Sequence, residues 1–198
     1  MRTSLALAAI SLLCACSPTV NPSAAVSSAG ATAGASASGP RVSAPPVSPS
    51  PPGTNLPDFA CADASGGKTG AANTITARVG EEAGYDRFVL QLDAIVPTYT
   101  VKRQATPVFT LGASGQTVKL SGTAGVLVTL HSANGTTTFT GETDLVHNEY
   151  QVLKEARQTQ DFEGTVSWGL GLGKPTCMRV FTLSDPARLV VDLRIPTS

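Results

Sequence analysis

The chain has 198 residues, 14 basic and 14 acidic, and a formal net charge of +0. That balance excludes a generally basic nucleic-acid binder and a polyanionic tail protein, because both need a large excess of one sign. Charged residues (14%) and aromatics (5%) are sparse and unevenly placed: all ten aromatics lie at Phe59 or later, and 33 of the 41 residues in 17–57 are Ser, Ala, Pro, Gly or Thr. The foldable part is therefore about 140 residues, the size of one domain.

The first element is an address. Arg2 followed by an apolar run over residues 5–13 fits a secretory signal peptide. The run is short of the roughly 20 apolar residues that a membrane-spanning helix needs. Its end, Leu13-Cys14-Ala15-Cys16, resembles the bacterial lipobox, with an apolar residue at −3, a small one at −1, then Cys. The resemblance implies that residues 1–15 are a lipoprotein signal peptide, cut before Cys16. It also implies a diacylglyceryl group on the Cys16 thiol and an acyl chain such as palmitate on its new amine. Stable anchoring takes two lipid signals, at about 0.8 kcal/mol per buried CH₂, and a diacylglyceryl group meets that requirement. An ordinary secretory signal and an uncleaved membrane anchor are the alternatives.

Residues 16–60 follow as a disordered Ala/Ser/Pro-rich linker behind the lipidated Cys16. Over residues 17–57 there is no aromatic or acidic residue and one basic residue, Arg41. Such a segment cannot bury enough apolar area to offset its ordering entropy. Its second half holds Pro40, Pro45, Pro46, Pro49, Pro51, Pro52 and Pro57 and favours stiff polyproline II.

From residue 61 the pattern changes to period two, the mark of half-buried strands. Ile75, Ala77 and Val79 alternate with polar neighbours, and so do Phe88, Leu90 and Leu92. The pattern returns at Val126, Val128 and Leu130, at Val166, Trp168, Leu170 and Leu172, and at Leu189, Val191, Leu193 and Ile195. Gly66, Gly67, Lys68 and Gly70 suggest little structure before the first of these runs. Asn134-Gly135 suits a type I′ turn joining a strand near 125–132 to one near 136–140. Residues 149–157 leave helix or strand open. Without helical crossovers, such strands point to an all-β fold, an antiparallel sandwich or barrel. Arg87-Phe88-Val89-Leu90-Gln91-Leu92 and Arg188-Leu189-Val190-Val191-Asp192-Leu193 look alike. They are either equivalent strands of two pseudo-symmetric sheets or a coincidence of strand composition.

Cys61 and Cys177 remain after processing. In an exported domain two such thiols are expected to pair, pinning the start of the domain to the strand near 177–183.

Catalytic patterns are weak. His131 falls on the outer face of a strand and His147 in a polar loop, without metal-ligand spacing, and no Gly-x-Ser-x-Gly elbow occurs. Gly169-Leu170-Gly171-Leu172-Gly173-Lys174 fails as a phosphate loop, because Trp168 stands where its first glycine belongs and Pro175 follows the lysine. Those glycines suit a strand closely approached by another backbone. Trp168 alternates with core residues and is expected inside. Asp161 and Glu163 could serve a glycosidase only at the right separation. In Arg157-Gln158-Thr159-Gln160-Asp161-Phe162-Glu163-Gly164 the default is a polar loop or edge strand. Arg157, Asp161, Phe162 and Glu163, which join charge and an aromatic ring, are the candidate ligand-binding residues.

Four segments together resemble a known family. They are Gly84-Tyr85-Asp86-Arg87-Phe88-Val89-Leu90, Asp161-Phe162-Glu163-Gly164, Trp168-Gly169-Leu170-Gly171-Leu172 and Asp185-Pro186-Ala187-Arg188-Leu189-Val190-Val191-Asp192-Leu193. Over roughly residues 73–195 the chain resembles the AMIN-like domain of bacterial lipoproteins. The resemblance implies an antiparallel β-sandwich at 61–198. It also implies a non-catalytic module, without cofactor or metal, that faces the cell wall or periplasm. The related AMIN domain recognises peptidoglycan in cell-wall amidases. The expected partners are the membrane, through the lipid on Cys16, and peptidoglycan or another wall component, not nucleic acid. The alternative is a protein-interaction module that docks an envelope enzyme or secretion complex.

Overall fold

The computed structural model describes residues 55–197. The expected signal peptide, the expected lipidation site at Cys16 and residues 16–54 of the expected linker lie outside the described residues. Thirteen strands follow in order: β1 (Ala64–Gly66), β2 (Ala72–Glu82), β3 (Tyr85–Leu92), β4 (Tyr99–Gln104), β5 (Val108–Leu111), β6 (Gln116–Lys119), β7 (Ala124–His131), β8 (Ala133–Asn134), β9 (Asp144–Val146), β10 (Leu153–Phe162), β11 (Thr165–Leu172), β12 (Met178–Leu183) and β13 (Arg188–Arg194). One 3₁₀ turn, Gly112–Ser114, separates β5 from β6, and the described residues contain no α-helix. Residues 149–157, open between helix and strand, resolve into a turn and the start of β10.

The strands form a six-stranded sheet, β1-β4-β7-β11-β10-β9, and a five-stranded sheet, β12-β13-β3-β2-β8, with β5 and β6 as a separate hairpin. Every pairing is antiparallel except β2 with β8. The fold is the expected all-β, sandwich-like arrangement. Alternation explains it: along β3 every second residue is buried, and Phe88 and Leu90 are fully inaccessible. Val126, Val128 and Leu130 of β7 do the same from the other sheet, and Leu189, Val191 and Leu193 of β13 complete the pattern. Trp168 sits in this core, its ring 5.5 Å from that of Phe88 and 5.7 Å from that of Phe139.

Buried carboxylates tie loops to the sheets. Asp86, on the inward side of β3, accepts the backbone N–H groups of Val152 (2.7 Å) and Leu153 (2.8 Å), joining one sheet to the start of β10 in the other. Glu155 accepts the N–H and hydroxyl of Ser121 at 2.7 and 2.8 Å. Cys61 and Cys177 form the expected disulfide across 116 residues of chain. Beside it, Ala60 and Met178 exchange two backbone hydrogen bonds.

Several expectations change. Asn134-Gly135 is not a hairpin turn: β8 pairs in parallel with β2, and Ser132 at φ 58° redirects the chain after β7. The Asn134 side chain instead accepts the Thr136 N–H at 2.9 Å, a local turn that competes with a hairpin. The look-alike segments 87–92 and 188–193 are not equivalents in two sheets. They are β3 and β13, neighbours in one sheet, with Arg87 opposite Asp192. The segment around Gly66 is ordered, since β1 pairs with β4 and Gly67, at φ 97°, lies against Pro97. A Cβ at Gly67 would stand 2.1 Å from the Pro97 carbonyl oxygen, so only glycine fits this approach.

Candidate ligand-binding face

The outward residues of the five-stranded sheet build a face that the sequence reading did not single out. Register places Arg179 of β12, Asp192 of β13, Arg87 of β3 and Gly80 of β2 in one row across four strands. Asp192 is fully buried beneath its partners. Its carboxylate accepts Arg87 Nε at 2.6 Å and Nη2 at 2.9 Å, and Arg179 Nε at 2.6 Å. Arg87 thus binds in the bidentate mode that suits guanidinium to carboxylate. The hydrogen bond to Asp192 raises the Arg87 pKa above its already high ordinary value, while burial opposes it. Two guanidiniums share one carboxylate, so the trio keeps a surplus positive charge.

Aromatic rings hold these cations from the sides. The Arg87 guanidinium carbon lies 5.1 Å from the Tyr85 ring centre and 5.7 Å from that of Phe181. Arg179 lies 4.6 Å from Phe59 and 4.7 Å from Tyr85. Arg194, two residues beyond Asp192 on β13, lies 6.0 Å from Phe59. Such contacts are attractive, and planar guanidinium stacks readily on rings. The far end of the row is open, because no atom lies within 4 Å of a Cβ built on Gly80.

The face continues into a groove of about 380 Å³ beside the disulfide, lined by Cys61, Arg103, Thr176, Cys177 and Arg194. Arg103 comes from the six-stranded sheet and Arg194 from the five-stranded one. Arg103 Nη1 donates to the Cys61 carbonyl at 2.7 Å, and its backbone N–H donates to the Asp63 carboxylate at 2.9 Å. Neither guanidinium forms an ion pair among the described residues. The arrangement offers oriented N–H donors, positive charge and ring faces, which suit carboxylates and sugar or peptide surfaces.

The four candidates drawn from sequence lie elsewhere, on β10 of the six-stranded sheet and in the turn after it. Arg157, Asp161 and Phe162 stand in β10 rather than in a loop, and only Glu163 occupies the turn to β11, at φ 49°. Arg157 Nη1 is 3.3 Å from an Asp144 carboxylate oxygen. Burial, with Glu155 nearby, pushes the Asp144 carboxyl up against the pull of Arg157. Both Asp161 oxygens are 3.1 Å from the Gly135 N–H, so this carboxylate holds the loop after β8. Phe162 is 53% exposed. His131 is exposed, and His147 Nδ1 lies 2.8 Å from Glu149.

The missed residues had a visible signal. In the runs 85–92 and 188–194 the positions that alternate with the core residues include Tyr85, Arg87, Arg188, Asp192 and Arg194, a set rich in arginine. What sequence could not supply was the register that stands Arg87 and Arg179 on either side of Asp192.

Comparison with curated proteins returns no match. Comparison with protein families matches residues 72–195 to the AMIN-like domain, from the first buried residue of β2 to just beyond β13. The match spans more than half of the chain and both sheets, so the chain belongs to the AMIN-like domain family.

Proposed function

We propose that the chain is a membrane-anchored envelope lipoprotein whose AMIN-like module binds peptidoglycan or another cell-wall component without catalysing a reaction. The observation that carries this reading is the arginine–aromatic face, in which Asp192 orients Arg87 and Arg179 against Tyr85, Phe181 and Phe59. A wall polymer of sugar rings and carboxylate-bearing peptides offers the acceptors and flat surfaces that such a face recognises. Family membership supports an envelope-associated, non-catalytic module. The Leu13-Cys14-Ala15-Cys16 motif supports a diacylglyceryl anchor on Cys16, with residues 17–57 as the spacer. A flexible chain of about 40 residues reaches roughly 35 Å on average, enough to leave the headgroup region.

The test is co-sedimentation of the full chain with insoluble cell wall. The wild type is expected in the pellet. A variant with Arg179→Gln and Arg194→Gln should bind about tenfold more weakly, through loss of two charged donors. Added salt should weaken the wild type in the same direction. Retention no better than that of an unrelated control protein overturns the reading. The anchor has its own test: Cys16→Ser should lose membrane partition and keep residues 1–15, and unchanged partition rejects lipidation.

A second reading, a module docking an envelope enzyme or secretion complex, is favoured by Phe162, a large apolar side chain 53% exposed at the end of β10. Photo-crosslinking from position 162 in cells that gives one dominant protein adduct, without wall retention, would select it.

A further inference from the structure

The outward side of the six-stranded sheet carries a hollow built on different chemistry. The hairpin of β5 and β6 lies across this sheet, with Phe109 only 3% exposed. Its ring packs where Gly125 and Gly169 have no side chains: a Cβ at either would stand 2.8 Å from a ring atom. Beside the ring, between hairpin and sheet, is a hollow of about 270 Å³. Val108, Phe109 and Leu127 form its apolar part. Gln104, Thr110, Thr129, Gln160, Thr165 and Ser167 supply hydroxyls and amides, and no lining residue is charged. Thr129, Ser167 and Gln160 are cross-strand partners on β7, β11 and β10. With strands about 4.8 Å apart, their polar groups form a row about 10 Å long.

This lining discriminates by elimination. A charged ligand would be desolvated without a countercharge. A purely apolar one would cover the side chains of Gln104, Gln160 and Thr165 and offer them no hydrogen-bond partner. Ser167 Oγ and Thr129 Oγ1 bond each other at 3.2 Å, and each hydroxyl keeps further acceptor capacity. A neutral ring with many hydroxyls satisfies both demands, since its O–H groups meet the polar row and its C–H face meets Leu127 and Val108. We infer that the hollow under the β5–β6 hairpin is a subsite for one uncharged sugar ring. The inference rests on the wall-binding reading for the source of that sugar: the arginine face meets acidic groups and the hollow meets neutral glycan.

The probe is tri-N-acetylglucosamine, titrated into the full chain and followed by amide chemical shifts. Saturable shifts are expected at residues lining the hollow, such as Thr110, Leu127 and Thr165. The isosteric double variant T129V/S167A, which removes both hydroxyls, should bind about tenfold or more weakly. Should that variant melt early, Thr165→Trp fills the same hollow from its rim and should abolish the shifts. The absence of saturable shifts, shifts confined to another surface, or undiminished affinity in both variants overturns the inference. Wall sedimentation retained without oligosaccharide binding sinks this subsite alone. Oligosaccharide binding retained without wall sedimentation sinks the wall reading alone.

Discussion

Asp192 is the acceptor on which the arginine face depends. Its removal leaves two guanidiniums, 25% and 14% exposed, without their shared countercharge. Breaking a buried ion pair on one side costs about 3–5 kcal/mol, and the partial exposure of both arginines reduces this to about 2–4 kcal/mol for Asp192→Ala. The shift in urea midpoint at constant m-value measures it. Asp93 provides the pH-dependent counterpart. The Asn73 backbone N–H at 2.9 Å, then the Asn73 amide at 2.8 Å, bond its carboxylate and hold its pKa below the ordinary 3.8. A carboxylate depressed in the folded state stabilises fully above its unfolded pKa, and that stability disappears as pH falls through the folded value. Between pH 6 and 2 the wild type should therefore lose slightly more stability than Asp93→Asn, a small difference at this exposed site. Equal acid slopes in denaturant titrations would remove the assignment.

At the level of elements, β11 shows why one strand needs so many glycines. Gly169 gives way to a side chain, Phe109, whereas Gly171 gives way to backbone: its Cβ would lie 2.3 Å from the Ser121 carbonyl oxygen. A ring on a hairpin can shift, but a backbone pinned by Glu155 cannot shift cheaply. Gly169→Ala should therefore cost about 1–2 kcal/mol and Gly171→Ala about 3 kcal/mol or more, in the range of overpacked cores. Thermal unfolding of the two variants checks the order, and Phe109→Leu should recover part of the Gly169→Ala loss but none of the Gly171→Ala loss. The glycine run that looks like a phosphate loop in the sequence is thus a packing device, as its failed spacing suggests.

Across the whole molecule, the Cys61–Cys177 bridge is a covalent constraint of long range, with a sequence separation of 116. The chain-entropy relation assigns roughly 4–5 kcal/mol to a loop of that size. Cys61→Ser with Cys177→Ser should lower stability by up to that amount. It should also open the segment before β1 to protease, since Phe59 and Ala60 are held close to the bridge by Arg179 and Met178. Unchanged proteolysis at residues 55–61 would show that those contacts suffice alone. The same segment contributes Phe59 to the arginine face, so under the proposed wall-binding function this variant should also show reduced wall retention.

Much of the architecture was legible in advance, because period-two burial is a local property of the chain. The runs at Phe88, Val126, Trp168 and Leu189 and the core position of Trp168 follow from which residues can face water and which cannot, whereas the pairing of Cys61 with Cys177 follows from two thiols left in a domain expected to be exported. Local patterns do not say which strand lies beside which, and those outcomes were decided by tertiary structure. Asn134-Gly135 yielded to a parallel pairing of β8 with β2, and the twin segments 87–92 and 188–193 became neighbours. Arg157 and Asp161 turned out to be engaged by Asp144 and Gly135. The arginine face exists only through the register of β12, β13 and β3. Alternation chooses the side of a sheet on which a residue stands. Its neighbour across the sheet is chosen by long-range packing of the core, a sum over contacts that no single segment contains.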